Sequence, residues 1–167
     1  NSTTIPYEKI YYDENEVKVI KDRSILFDET TTADGTNSLT TLFEVKDIFD
    51  NPKPFQLIQY FIRNNTNEND IILDFFAGSG STAQSVMEQN RIDCKHRKYI
   101  LVQLPELTKD KSAAQNNGYK TISDITIERN KRVIQKIEKE ESEKQPQLLD
   151  HDKKPFKTGF KVYMLAK

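Results

Sequence analysis

The residues best suited to chemistry in this chain are Asp74-Phe75-Phe76-Ala77-Gly78-Ser79-Gly80-Ser81-Thr82. The apolar run Ile71-Ile72-Leu73 precedes them and reads as a buried strand. Ala83-Gln84-Ser85-Val86-Met87-Glu88 follows and reads as the first turns of a helix. Glycine permits a sharp turn between the two and lets backbone N–H groups come close to a bound molecule. A carboxylate at the strand end suits a cationic ligand group better than a pyrophosphate. Two other readings stay open at this point. Gly78-Ser79-Gly80-Ser81-Thr82-Ala83 also fits the dinucleotide fingerprint, whose third glycine can be alanine. That fingerprint calls for an acidic residue about 20 residues on to hold a ribose. The next strand-like run ends near Gln103, an amide that brings hydrogen bonds but no charge. The third reading is a tight connection without a ligand.

The elements that must position this loop follow from periodicity. Asn51-Pro52-Lys53-Pro54 is a proline-marked turn opening an amphipathic helix, with Leu57, Ile58, Phe61 and Ile62 on one face. Downstream come a helix over 82–89, a strand over 99–104, a helix over 127–144 and a strand over 160–165. Right-handed crossovers lay the three strands parallel, the first two adjacent and the third outermost. In the long helix, Val133, Ile134 and Ile137 supply the buried stripe, and Glu128 with Arg132 and Lys136 with Glu140 pair on the outer face. Near the start, residues 7–12 and 17–20 flank Asp13-Glu14-Asn15-Glu16 and predict a hairpin. Segments 107–117 and 138–157 are polar and read as irregular loops.

Composition bounds the function classes. The 167 residues are 35% hydrophobic and 31% charged, which describes a soluble, rather polar domain with a modest core. No apolar stretch reaches the length of a membrane span. A single cysteine, Cys94, excludes an internal disulfide and fits a reducing, cytoplasmic setting. His96 and His151 lie far apart without ligand-spaced partners, so no metal site is expected. A net charge of −1 argues against strong DNA binding by this chain alone, because phosphate neutralisation needs an excess of Lys and Arg. The run Lys95-His96-Arg97-Lys98 reads as a solvated loop before a strand.

With its context, the glycine loop resembles motif I of S-adenosylmethionine-dependent methyltransferases, in the form typical of DNA amino-methyltransferases. Lys53-Pro54 stands where motif X lies in members whose catalytic half comes first. Ser24 to Thr30, Ala33-Asp34-Gly35-Thr36, Phe49 to Pro54, Asp74 to Thr82, Tyr99 to Glu106, Gly118 to Ile125 and Gly159 to Tyr163 stand in family order. Together they resemble the C-terminal part of the modification subunit of type III restriction-modification systems, an adenine-N6 DNA methyltransferase. The resemblance runs from Lys21 to the end, with little carried by 138–154. Gln103 departs from the acidic residue common in motif II, although Val102-Gln103-Leu104-Pro105-Glu106 is similar to the type III form.

The resemblance implies an α/β fold: a Rossmann-like S-adenosylmethionine-dependent methyltransferase half-sheet over 49–167, with parallel strands and flanking helices. Residues 1–48 would form an N-terminal extension with a hairpin and linker. It implies S-adenosylmethionine as cofactor, across the C-terminal ends of the first two strands. Asp74 would face the methionine ammonium, and backbone at Ala77, Gly78, Ser79 and Gly80 would pack on the ligand. Thr82 would cap the helix and touch the carboxylate, while Lys53 and Pro54 border the methionine end. One ring of Phe75 and Phe76 would approach the sulfonium and the other lie in the core. Gln103 would hold the ribose, with Glu106 as its substitute, and Asp34, Thr36, Leu57 and Ser81 complete the candidate contacts. The family holds its flipped adenine with an Asp/Asn-Pro-Pro-Tyr/Phe segment. No two prolines are adjacent here, so no catalytic residue is expected in this chain. The chain, which opens on Asn1, reads as the cofactor-binding piece of a longer enzyme. By the same resemblance, DNA, a restriction subunit and a second modification subunit would be its partners. An open edge on the first strand would invite self-association of the isolated chain or cover by residues before Lys21. An NAD(P)-binding domain and a non-catalytic assembly module remain the alternatives.

Overall fold

A computed structural model describes residues 30–144 and 158–164. The elements run α1 (Thr32–Phe43), α2 (Phe55–Asn65), β1 (Ile71–Asp74), α3 (Ser81–Asp93), β2 (Lys98–Leu101), α4 (Ala113–Asn116) and α5 (Ile122–Lys144). The expected 7–12/17–20 hairpin lies outside the described residues. No helix among those described is long and apolar enough to cross a membrane.

β1 and β2 pair in parallel with Ile71 opposite Lys98 and Asp74 opposite Leu101. The period-2 pattern gives the pair two different faces. Ile72, Asp74, Tyr99 and Leu101 are half-buried on one side. There Tyr99 and Leu101 pack against Ala83, Met87, Val133 and Ile137 of α3 and α5. On the other side Ile71, Leu73 and Ile100 are about half exposed. Parallel sheets are normally covered on both faces, and no described element covers this one. The third expected strand does not form within 158–164, which is irregular.

The central element is α3, and its composition is unusual for its place. All residues from Ser81 to Asn90 are buried, although seven of the ten are polar or charged. A buried polar group without a partner costs about 1–3 kcal/mol, so each one needs a partner. Ser85 donates to the Phe55 carbonyl at 2.7 Å, tying α3 to the start of α2. Glu88 accepts from Arg91 at 2.9 Å and faces Lys136 of α5 at 3.7 Å. Asn90 donates to the Arg97 carbonyl at 2.9 Å. Arg97 itself corrects the reading of 95–98 as a solvated loop. Its guanidinium is buried, pairs with Asp93 at 2.9 Å and donates to the Thr66 hydroxyl at 2.7 Å, fastening the entry to β2. Cys94 is a free, exposed thiol.

The sequence reading placed no helix over 32–43, yet α1 forms and anchors a second core cluster. Leu39 and Phe43 pack there with Ile48, Ala114 and Ile125. A reciprocal capping box starts α1: Asp34 accepts from the Thr31 backbone N–H at 2.6 Å and from its hydroxyl at 2.9 Å. Those bonds lower the Asp34 pKa below the ordinary carboxylate value. A second reciprocal pair, Thr121 with Asp124, starts α5 at Ile122, five residues before the expected 127. At its other end α5 runs to Lys144, where the expected 127–144 helix ends, so the irregular reading of 138–157 fails over 138–144. The two expected outer pairs both form, Glu128–Arg132 at 2.7 Å and Lys136–Glu140 at 3.7 Å.

Gly35 of α1 lies against the proline turn. A Cβ at this position would stand 2.0 Å from the Pro52 carbonyl oxygen and 2.9 Å from the Pro54 nitrogen. Helix propensity alone favours alanine over glycine by about 1 kcal/mol. A clash with fixed backbone outweighs that gain, since overpacking costs about 1–3 kcal/mol and often more. Gly35→Ala is therefore expected to lower the urea midpoint of unfolding, whereas an exposed helical glycine would raise it.

Candidate functional site

β1 delivers Asp74 to the sheet's C-terminal end, and both carboxylate oxygens are in use. One accepts from the Phe76 backbone N–H at 2.9 Å and the other from the Thr82 hydroxyl at 2.6 Å. Thr82 thus braces Asp74, and not the helix end as expected. The N-cap of α3 is Gly80, at φ 81°, a left-handed conformation that favours glycine. Its missing side chain also leaves room for Thr126 of α5, whose Cγ2 would stand 3.2 Å from a Cβ there.

The turn between Asp74 and α3 is held from three directions. From the β2 side, Val102 accepts from Ala77 N–H at 3.1 Å, and the Gln103 side-chain oxygen accepts from Gly78 N–H at 2.8 Å. From α5, the Thr126 hydroxyl donates to the Gly78 carbonyl at 2.6 Å. Also from α5, one nitrogen of Arg129 donates to the hydroxyls of Ser79 and Ser81, each at 2.9 Å, and to the Ser79 carbonyl at 3.3 Å. Its Nε donates to Gln84 at 3.0 Å. From the proline turn, the Lys53 carbonyl accepts from the Ser81 hydroxyl at 2.8 Å. Phe49 closes on Gly78, with its ring tip 3.5 Å from where a Cβ would be.

This geometry assembles Lys53, Asp74, Ala77, Gly78, Ser79, Gly80, Ser81, Thr82 and Gln103 around one turn, with buried Pro54 next to Lys53. Phe75 and Phe76 are 64% and 87% exposed, so neither is the core residue expected of one of them. Asp34 is engaged in its own helix cap, and Thr36 and Leu57 are half-buried on α1 and α2. Glu106 is exposed. Among the described residues no cluster of three His, Cys, Asp or Glu side chains could hold a metal ion.

Two poles result. Asp74 presents a half-buried negative charge with no ion-pair partner among the described residues. A few residues on, the N-terminus of a 13-residue helix has no acidic residue in its first turn and attracts an anion. A zwitterion carrying an ammonium and a carboxylate matches that pair.

A family model described as DNA methylase matches residues 3–139. This chain belongs to the DNA methylase family. It is 37% identical over 168 residues to the type III restriction-modification enzyme EcoP15I Mod subunit of Escherichia coli, covering 95% of this chain and 23% of that protein. It is 38% identical over 104 residues to the StyLTI Mod subunit of Salmonella typhimurium, covering 62% of this chain and 16% of that protein. The type II methyltransferase M.KpnI of Klebsiella pneumoniae is 38% identical over 113 residues, 67% of this chain and 27% of its own length. The chain thus spans about a quarter or less of these curated relatives.

Sequence reasoning missed Thr126 and Arg129, which lie 48 and 50 residues from the loop atoms they bind. A signal for Arg129 was present. Spacing by four along α5 puts it within the stripe of Ile125, Val133 and Ile137, all fully buried. A charged residue in an apolar stripe must find buried acceptors. Desolvation holds its pKa down at about 10.

Gln103 is the member whose role the geometry defines most narrowly, as an acceptor for Gly78 N–H. Gln103→Ala is expected to cost about 0.5–1.5 kcal/mol of stability, the net value of one such bond. Gln103→Glu keeps the acceptor and should restore the loss, as read by urea unfolding.

Proposed function

We propose that this chain holds S-adenosylmethionine for an adenine-N6 DNA methyltransferase of the type III restriction-modification class. The observation that carries the reading is the pairing of Asp74 with a turn whose backbone is fixed by Gln103, Thr126, Arg129 and the Lys53 carbonyl. The residues present fit the cofactor's amino-acid end. Asp74 receives the ammonium, and the turn and first residues of α3 receive the carboxylate. The cofactor supplies an electrophilic methyl group at its sulfonium. Exposed Phe75 and Phe76 are the rings available near that cation, a contact of about 0.5–2 kcal/mol. For the ribose, Gln103 is already bonded to Gly78, so exposed Glu106 is the freer acceptor. The same engagement of Gln103 counts against NAD(P), whose ribose is ordinarily held by a carboxylate.

Adenine N6 is a poor nucleophile, because its lone pair is delocalised into the ring. Transfer requires a flipped base held against the donor. The sequence has no adjacent prolines to supply that hold, so the adenine-binding segment comes from outside it. Among the described residues, the sheet face of Ile71, Leu73 and Ile100 is uncovered and one edge of β1 unpaired, which suits cover by such a further part of the enzyme, or self-association of the isolated chain. A restriction subunit, a second modification subunit and DNA are the partners this reading brings, in the cytoplasm.

Calorimetric titration tests the reading. S-adenosylhomocysteine should bind and NAD should not, and Asp74→Ala should weaken binding at least tenfold, about 1.4 kcal/mol. The pure chain should transfer no methyl group to duplex DNA. Binding of NAD alone, or unchanged affinity in Asp74→Ala, would count against it.

A further inference from the structure

Arg129 is wholly buried, yet no carboxylate among the described residues pairs with it. Its acceptors are two serine hydroxyls, a carbonyl and an amide oxygen, and its second terminal nitrogen has none. A buried guanidinium without a counter-charge is a poor stabilising device, since desolvation outweighs neutral hydrogen bonds. Three of its four bonds converge on Ser79 and Ser81, the residues on either side of the Gly80 N-cap. One of these, Ser81, passes the constraint on to the Lys53 carbonyl. A single side chain therefore links α5, the turn, the start of α3 and the proline turn, from beneath the surface.

We infer that Arg129 is the positioning residue for the amino-acid end of the ligand, setting the turn and the α3 N-terminus to receive a carboxylate. The inference rests on the cofactor reading above. Arg129 stays buried and need not touch the ligand; it acts through Ser79 and Ser81. Its uncompensated positive charge adds to that of the helix N-terminus, so the turn favours an anionic group over a neutral one. Arg129 bonds Gln84 and the turn at the proposed amino-acid end, so its loss should spare contacts to the adenosine end, and that separates positioning from a general loss of structure.

The test compares two ligands on one chain by calorimetry: S-adenosylhomocysteine, which carries the amino-acid tail, and 5′-methylthioadenosine, which does not. In Arg129→Met, affinity for S-adenosylhomocysteine should fall at least ~tenfold while that for 5′-methylthioadenosine changes by less than about twofold. Arg129→Lys restores charge without the planar fork, and should recover part of the lost affinity. If Arg129→Met does not fold, as judged by urea unfolding, Arg129→Lys against wild type carries the same comparison. Equal losses for both ligands in a folded variant, or no loss for either, would overturn the role. A wild-type chain that binds neither ligand would overturn the cofactor reading itself and this role with it.

Discussion

Everything described here depends on a helix that is buried on nearly all sides while being built from polar residues. Burial of Ser81 to Asn90 leaves ten consecutive side chains without bulk water. Unpartnered, each polar group among them would cost about 1–3 kcal/mol, enough in sum to exceed the whole stability of a small domain. The neighbours are therefore constrained as strongly as the helix. Lys53 and Phe55 must turn their carbonyls toward Ser81 and Ser85, Asp74 must meet Thr82, and Arg129 must reach Gln84. An apolar helix would bury as well but would fix none of these directions.

That constraint concentrates at the helix's N-terminus, where the chain can afford least freedom. Gly80 takes a left-handed turn, and each flanking serine is fixed by the same guanidinium. The turn is thereby preorganised, so a ligand would not have to order it on binding, which is where much of the cost of binding flexible loops lies. Asp74 at one side and the helix end at the other then provide charges of opposite sign a short distance apart. In a member of the DNA methylase family, these two poles are what the proposed zwitterionic methyl donor would meet.

Local signals made much of this legible. Ile71-Ile72-Leu73 before Asp74, then the glycines, identified the strand, turn and helix, and Glu128 with Arg132 identified the outer face of α5. Where local signals conflicted with packing, packing prevailed. Four threonines and Gly35 weaken the helical pattern over 32–43, yet the Thr31–Asp34 capping box and the approach to Pro52 make it a helix. Arg97 sits in a basic run that looks solvated but serves as a buried clamp. Thr126 and Arg129 are ordinary helical residues in sequence, and only the crossover of α5 brings them to the turn. One ring of Phe75 and Phe76 was expected in the core, but the turn leaves both exposed.

The proposed cofactor site requires the turn at the head of the buried polar helix to be formed before any ligand arrives. Hydrogen exchange of the isolated chain with and without saturating S-adenosylhomocysteine tests it most directly. Amide exchange at Ala77, Gly78 and Gly80, whose N–H groups are bonded, should be slow before ligand is added, with further protection confined to 74–82, the Lys53 turn and the segment after β2. Rapid exchange at Ala77, Gly78 and Gly80 in the free chain, or ligand protection elsewhere with none over 74–82, would overturn it.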